Sequence, residues 1–217
     1  MRTLVIAPHA DDEAISCGGL IARRVKREQG AVRVLSLHGR NYTHEGKVYD
    51  QRASDARELE DFRRSAATLG FEGVSETYVE GEPGQVGYYV LLHRIEKELA
   101  RFQPDELVIP SEHDLNQDHQ HLSRVCKIVC RPTNLQYVQR VLEFVGLDGR
   151  VRCPTHFVTL TRSELDVKSS AINCYARERR EPPSPRAAEN VIAQARVWGA
   201  AAGASYAEAY VTYLARE

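Results

Sequence analysis

Two short apolar runs constrain this chain more than any other feature. Each ends at a proline and opens onto a cluster of histidines and acids. Thr3-Leu4-Val5-Ile6-Ala7 stops at Pro8, and Glu106-Leu107-Val108-Ile109 stops at Pro110. Aliphatic runs of this length without polar alternation read as strands buried on both faces, as in parallel sheets. Proline has no N–H for a sheet ladder, so it closes each run. After the first comes His9-Ala10-Asp11-Asp12-Glu13; after the second, His113-Asp114-Leu115-Asn116-Gln117-Asp118-His119-Gln120-His121. Ligand sites in open α/β sheets gather at the carboxyl ends of strands. The pattern therefore predicts one site assembled from both clusters.

The segments between and beyond these runs alternate in period. Helical spacing spans about Ala14 to Glu28 and stops at Gly30, and Val32 to Leu37 reads as a strand. Gln51 to Leu69 reads as a helix closed by Gly70, followed by a weaker strand near Ser75 to Val79. Tyr88 to Phe102 places Leu91, Leu92, Ile95 and Leu99 on one helical face. A helix is expected from about His119 to Cys130. Tyr137–Val145 reads as strand or helix, and His156–Leu160 as strand. Ser163 to Arg177 reads as a helix with Ser163 as cap, Glu181 to Pro185 as a rigid connector, and Ala187 to Ala201 as the last helix. This alternation predicts an α/β fold, a mostly parallel sheet with helices on both faces. The 217 residues suit a single domain spanning 1–217.

Charge and composition narrow the partners. The 29 basic and 30 acidic residues leave a formal charge of −1, so neither nucleic acid nor a membrane surface is implied. Arg23-Arg24-Val25-Lys26-Arg27 reads as a solvated helix face rather than a phosphate-binding patch. No apolar run approaches the roughly 18 residues of a membrane span. No cleavable signal pattern precedes the first strand, so a cytoplasmic location is expected. The five cysteines lack regular spacing, which argues against a disulfide framework, and Cys126 and Cys130 read as apolar positions on one helix.

The chemistry lies in the two clusters. An imidazole and a nearby carboxylate can bind one Zn²⁺ while another carboxylate stays free. Catalytic zinc commonly takes three protein ligands and leaves a position for water. A metal lowers the pKa of that water, and a spare carboxylate can serve as general base. Taken alone, Asp11-Asp12-Glu13 also reads as favourable charge at a helix N-terminus, but a second histidine-rich cluster on an equivalent strand end favours a metal site.

At these residues the sequence resembles the LmbE-like, or GlcNAc-phosphatidylinositol deacetylase (PIG-L), family. The signature of a strand, Pro-His-x-Asp-Asp-Glu and a glycine-containing helix stands here as Leu4 to Glu13 followed by Cys17-Gly18-Gly19. The second family motif reads Asn116-Gln117-Asp118-His119. Further likenesses are Lys168-Ser169-Ser170-Ala171-Ile172 and Gly203-Ala204-Ser205-Tyr206-Ala207-Glu208-Ala209-Tyr210. The resemblance implies a Rossmann-like fold without a nucleotide role and zinc-dependent removal of an N-acetyl group from an amino sugar or glycoconjugate. It implies His9, Asp12 and His119 as ligands of Zn²⁺ or another divalent metal, and Asp11 as general base. Asn116 stands where many members carry a histidine thought to stabilise the oxyanion. An asparagine amide can donate a hydrogen bond there but carries no positive charge, so the role falls to Asn116, to the metal, or to His113 or His121.

Other assignments are peripheral. Asp118 is expected either to orient His119 through a hydrogen bond or to cap its helix. His121, two positions on, is expected to face solvent. Arg57 reads as a surface partner of Glu60 and Asp61 or as a substrate contact; His38 and Arg40 are similar candidates for the cleft. The loops His38–Asp50 and Gly81–Gly87 are expected to shape the pocket. The competing functions are a metal phosphoesterase, which more often needs a second metal, and a glycan-binding member of the fold without activity.

Overall fold

The structure is a computed structural model that describes residues 1–39, 43–44, 47–48, 51–78, 88–132, 136–144, 153–178 and 180–216. The elements run β1 (Arg2–Ala7), α1 (Asp12–Ala22), β2 (Ala31–Gly39), β3 (Thr43–His44), β4 (Lys47–Val48), α2 (Gln51–Leu69) and β5 (Glu72–Tyr78). They continue with α3 (Tyr88–Phe102), β6 (Glu106–Pro110), α4 (Gln117–Val129), β7 (Arg140–Phe144), β8 (His156–Leu160), α5 (Arg162–Ile172), α6 (Ala188–Ala201) and β9 (Tyr206–Ala215).

A seven-stranded sheet has the order β5-β2-β1-β6-β7-β9-β8, while β3 and β4 form a separate antiparallel pair. The five strands from β5 to β7 run parallel, and β9 lies antiparallel between β7 and β8. The connections from β1 and β6 diverge, β2 lying on one side of β1 and β6 on the other. That divergence opens a crevice at the carboxyl ends of adjacent strands. The register Leu4↔Leu107 and Val5↔Val108 brings the chain after Pro8 beside the chain after Pro110. The α/β architecture expected from the alternation of periods is the one observed.

Period-2 alternation divides the core. Leu4, Ile6, Leu35, Leu107 and Ile109 face α3 and α4 on one side, whereas Val5, Ala7, Val34 and Val108 join α1, α2 and α5 on the other. With both faces covered, β1 and β6 carry no exposed side chain beyond Arg2, which explains their apolar runs Leu4–Ala7 and Leu107–Ile109.

Several local expectations are corrected. α1 ends at Ala22 and one π-helical turn, Arg23–Arg27, completes it. Arg24 there is not solvated: it is 4% exposed and donates through Nε and Nη2 to the buried Glu106. The cap of α5 is Thr161, not Ser163, and it forms a reciprocal box with Glu164. Tyr137–Val145 resolves as strand β7, Arg140–Phe144. Cys126 is buried but Cys130 only partly so. The loop Gly81–Gly87, most of His38–Asp50, and the side chains of His38 and Arg40 lie outside the described residues.

Candidate metal centre

Strand β1 and helix α1 carry half of the site. The carbonyl of Asp11 accepts from the N–H groups of Ala14 and Ile15, at 3.0 and 2.9 Å, so the helix starts directly after Asp11. The Asp12 side chain reaches back to accept the His9 N–H at 3.0 Å. That contact turns both side chains of the first cluster into the crevice and satisfies an amide that the strand leaves free. The other half comes from α4, where Asn116 is the N-cap and its Oδ1 accepts the Asp118 N–H at 2.8 Å.

The two halves meet at Asp12. Its Oδ2 lies 3.2 Å from His9 Nδ1 and 3.0 Å from His119 Nε2. One ligand atom from each of His9, Asp12 and His119 falls within a 4.8 Å span, and this is the group of three that the described residues offer to a cation. Two imidazole nitrogens and a carboxylate oxygen are the donor set zinc favours. The opposite nitrogen of each ring is also engaged. His9 Nε2 is 3.1 Å from Asp118 Oδ2, and His119 Nδ1 is 2.9 Å from Asp114 Oδ2. A carboxylate on the far nitrogen fixes the tautomer and raises the basicity of a ligand histidine. Asp118 thus serves His9, not His119, and it does not cap α4; the carboxylate that orients His119 is Asp114.

Electrostatics follow from this arrangement. Burial works against protonated His9, but the hydrogen bonds to Asp118 and Asp12 outweigh it and raise its pKa to about 10. Burial likewise opposes charge on His119, yet Asp12 and Asp114 raise it to about 9. Asp12, despite its own burial, is driven far below the usual carboxylate range by the two imidazoles. The cluster is a stable anion flanked by two cations, and a divalent ion would replace their protons.

Asp11 is 2% exposed, and its carboxylate accepts a hydrogen bond from Arg186, which follows the Glu181–Pro185 connector. Burial and the neighbouring Asp12 raise Asp11 to about 6, while Arg186 and His9 pull it down. Both residues line a cavity of about 50 Å³ with Tyr175, Glu178 and Arg180. Glu13 is wholly buried and held by Ser65 Oγ at 2.7 Å and Tyr175 Oη at 2.5 Å. Burial pushes it up to about 8. Sequence reasoning missed Arg186, Tyr175 and Ser65, because each reaches the site through the path of the chain and no local motif marks it.

The remaining assignments separate. Asn116 is exposed and commits its amide oxygen to the α4 cap, which leaves the nitrogen as its donor. His113 is exposed as well, whereas His121 is half-buried with its ring 4.9 Å from that of Tyr88, a correction to its expected solvent-facing position. Arg57 lies exposed on α2; the ion pair formed there by Asp61 is with Arg64.

The sequence profile described as GlcNAc-PI de-N-acetylase, PIG-L, matches residues 4–130, more than half of the chain. No curated protein sequence matches. Among solved structures, the conserved protein TT1542 from Thermus thermophilus superposes with a TM-score of 0.76 at 23% identity, covering 99% of this chain and 96% of that one. GalB, the 4-carboxy-2-hydroxymuconate hydratase from Pseudomonas putida KT2440, gives 0.75 at 22% identity, covering 100% and 98%. The N,N'-diacetylchitobiose deacetylase from Pyrococcus horikoshii gives 0.72 at 19% identity, covering 97% and 83%. At these identities the likeness concerns the fold.

Proposed function

The chain belongs to the GlcNAc-PI de-N-acetylase (PIG-L) family, and from that membership we propose that it is a zinc-dependent N-deacetylase acting on an amino sugar or sugar conjugate. The observation that carries the reading is the convergence of His9, Asp12 and His119 on one point, with Asp11 next to Asp12 in the chain. His9 Nδ1, one Asp12 oxygen and His119 Nε2 would hold the ion. When bound, a divalent metal supplies Lewis acidity toward the amide carbonyl and lowers the pKa of water in the site. Asp11, kept ionised near neutral pH by Arg186 and His9, accepts the proton of the attacking water and delivers it to the departing amine. Asp114 and Asp118 accept from His119 Nδ1–H and His9 Nε2–H, which would leave His119 Nε2 and His9 Nδ1 as the nitrogens that ligate the ion. Asn116 Nδ2 is proposed as a hydrogen-bond donor to the developing oxyanion. Arg57 and His38 remain proposed substrate contacts.

The substrate class follows the family description and the chitobiose deacetylase. No helix among the described residues is long and apolar enough to cross a membrane. The phosphoesterase reading lacks a second ligand group among the described residues. A second reading, hydration of a carbon–carbon double bond, draws on the Pseudomonas hydratase and on Asn116, which leaves the site without the family's oxyanion histidine. Incubating zinc-loaded protein with N-acetylglucosamine derivatives and with a carboxylated enol separates the two. Acetate release supports the deacetylase; hydration without acetate release replaces it.

A further inference from the structure

Three sequence features remain outside the metal centre: Gly18-Gly19, Lys168, and the Glu208–Tyr210 segment of β9. The structure brings them together. Glu208 Oε1 accepts from the Gly19 N–H at 2.8 Å and from Lys168 Nζ at 2.5 Å. Its Oε2 accepts from the Leu20 N–H at 2.7 Å and from Tyr210 Oη at 2.8 Å. Tyr210 Oη also lies 3.2 Å from the Ser16 carbonyl, the ordinary helical acceptor for the Leu20 N–H. Two side chains of one strand thus stand at the Ser16–Leu20 turn of α1. Glu208, Lys168 and Tyr210 are each no more than 5% exposed.

Glycine makes this approach feasible. A Cβ on Gly19 would sit 2.4 Å from Leu160 Cδ1 and 2.9 Å from the Glu208 carboxyl group, and one on Gly18 would meet Lys168 Cγ at 3.0 Å. Apolar packing alone tolerates small slides of a helix along its axis. A carboxylate bonded to two consecutive amides does not, because both bonds are directional. Glu208 is anchored in β9, which pairs with β7, which pairs with β6, the strand leading to His119. Gly19 lies about 10 Å along the axis from Asp12, at 1.5 Å per residue.

We propose that Glu208, neutralised by Lys168 and braced by Tyr210, is a positioning residue for the metal centre: it fixes the axial register of α1 so that Asp12 meets His9 and His119. The proposal extends the site into the chain beyond the matched residues 4–130. It rests on the metal reading for its consequence but not for its test. A ligand set requires placement to about 0.5 Å, so a small slip of α1 is felt at the site.

The test compares Glu208→Gln and Tyr210→Phe with Leu99→Ala, a core truncation on α3 across the sheet. Two readouts are taken: Co²⁺ affinity by chelator competition, and the ¹⁵N resonances of the His9 and His119 imidazoles in metal-free protein. Glu208→Gln sets an amide N–H₂ against a backbone N–H and leaves Lys168 without its charge partner. It is expected to weaken Co²⁺ binding by about tenfold or more, as loss of an orienting partner does, and to move the His119 resonances. Tyr210→Phe should act in the same direction to a smaller extent, and it carries the test if Glu208→Gln does not accumulate. Leu99→Ala should lower Tm with neither effect. Lower Tm in the Glu208 and Tyr210 variants with unchanged affinity and unchanged imidazole resonances overturns the proposal. If the wild type fails to bind Co²⁺, the metal reading falls, and the metal-free resonances alone decide the register.

Discussion

Arg186 donates from Nη2 to Asp11 Oδ2 across 175 residues of chain, so the proposed base is held from the C-terminal part of the protein. The contact offsets the burial and the Asp12 repulsion that raise Asp11 to about 6. Arg186→Met removes the opposing cation, so the Asp11 carboxyl rises further. A base works only when deprotonated, and the acidic limb of the kcat/KM profile should therefore move to higher pH. A bound ion lowers the limb in both proteins and leaves the direction of the difference unchanged. An unmoved limb would show that Asp11 is not the group it reports.

Asp11→Asn should slow turnover sharply while the metal stays bound, because His9, Asp12 and His119 remain. A loss of about 10²–10⁴ in kcat is the usual scale for a general base. Metal content and rate, measured on the same preparation, check both halves. Full activity in folded, metal-loaded Asp11→Asn protein removes Asp11 from its role.

The metal-free site holds His9 and His119 protonated, with pKa values raised to about 10 and about 9. A metal takes neutral imidazole, so binding at pH 7 should release about two protons, and affinity should rise with pH until both rings titrate. Calorimetry in buffers of different ionisation enthalpy counts those protons. The sign for the metal-free fold is opposite. These raised pKa values stabilise it fully below about 6.5, and that contribution disappears as pH passes 9 to 10.

Asp114→Asn and Asp118→Asn should each weaken metal affinity by about 10–100-fold, through His119 and His9 respectively. The sequence suggests Asp118 as the partner of His119 because the two are adjacent. Neighbours on a helix point in different directions, however, and α4 instead aims Asp118 at His9. The strands that place the site are legible because Pro8 and Pro110 are local signals. The α5 cap is misassigned in the sequence because Ser163 offers a competing hydroxyl, although Glu164 three residues after Thr161 completes the box. β9 escapes sequence reasoning: its alanines and alternating polar residues give no continuous apolar run, although it fills a sheet position between β7 and β8. Arg186 and Tyr175 are beyond reach of any local pattern, because only the tertiary path brings them to Asp11 and Glu13.

Glu106 anchors the opposite end of the strands. It is fully buried between Arg24 and Arg140, and although burial raises its pKa, those two guanidinium groups lower it below the usual value. Glu106→Gln leaves Arg24 without its buried partner and should cost about 3–5 kcal/mol at pH 7. Because the folded pKa is depressed, this stability is present above the unfolded pKa of 4.5 and lost as pH falls through the folded value. Denaturant midpoints of the two proteins should therefore converge on acidification. A constant gap down to acidic pH would place the stabilisation elsewhere.

A metal centre of His9, Asp12 and His119 that supports amide hydrolysis makes acetate release depend on the bound ion. This dependence is tested most directly by acetate release from an N-acetylglucosamine conjugate by chelator-stripped protein, titrated with Zn²⁺. No release is expected without metal, with activity restored at one equivalent per chain and none at any zinc level in folded His119→Ala. Undiminished acetate release from the metal-free protein would contradict that dependence.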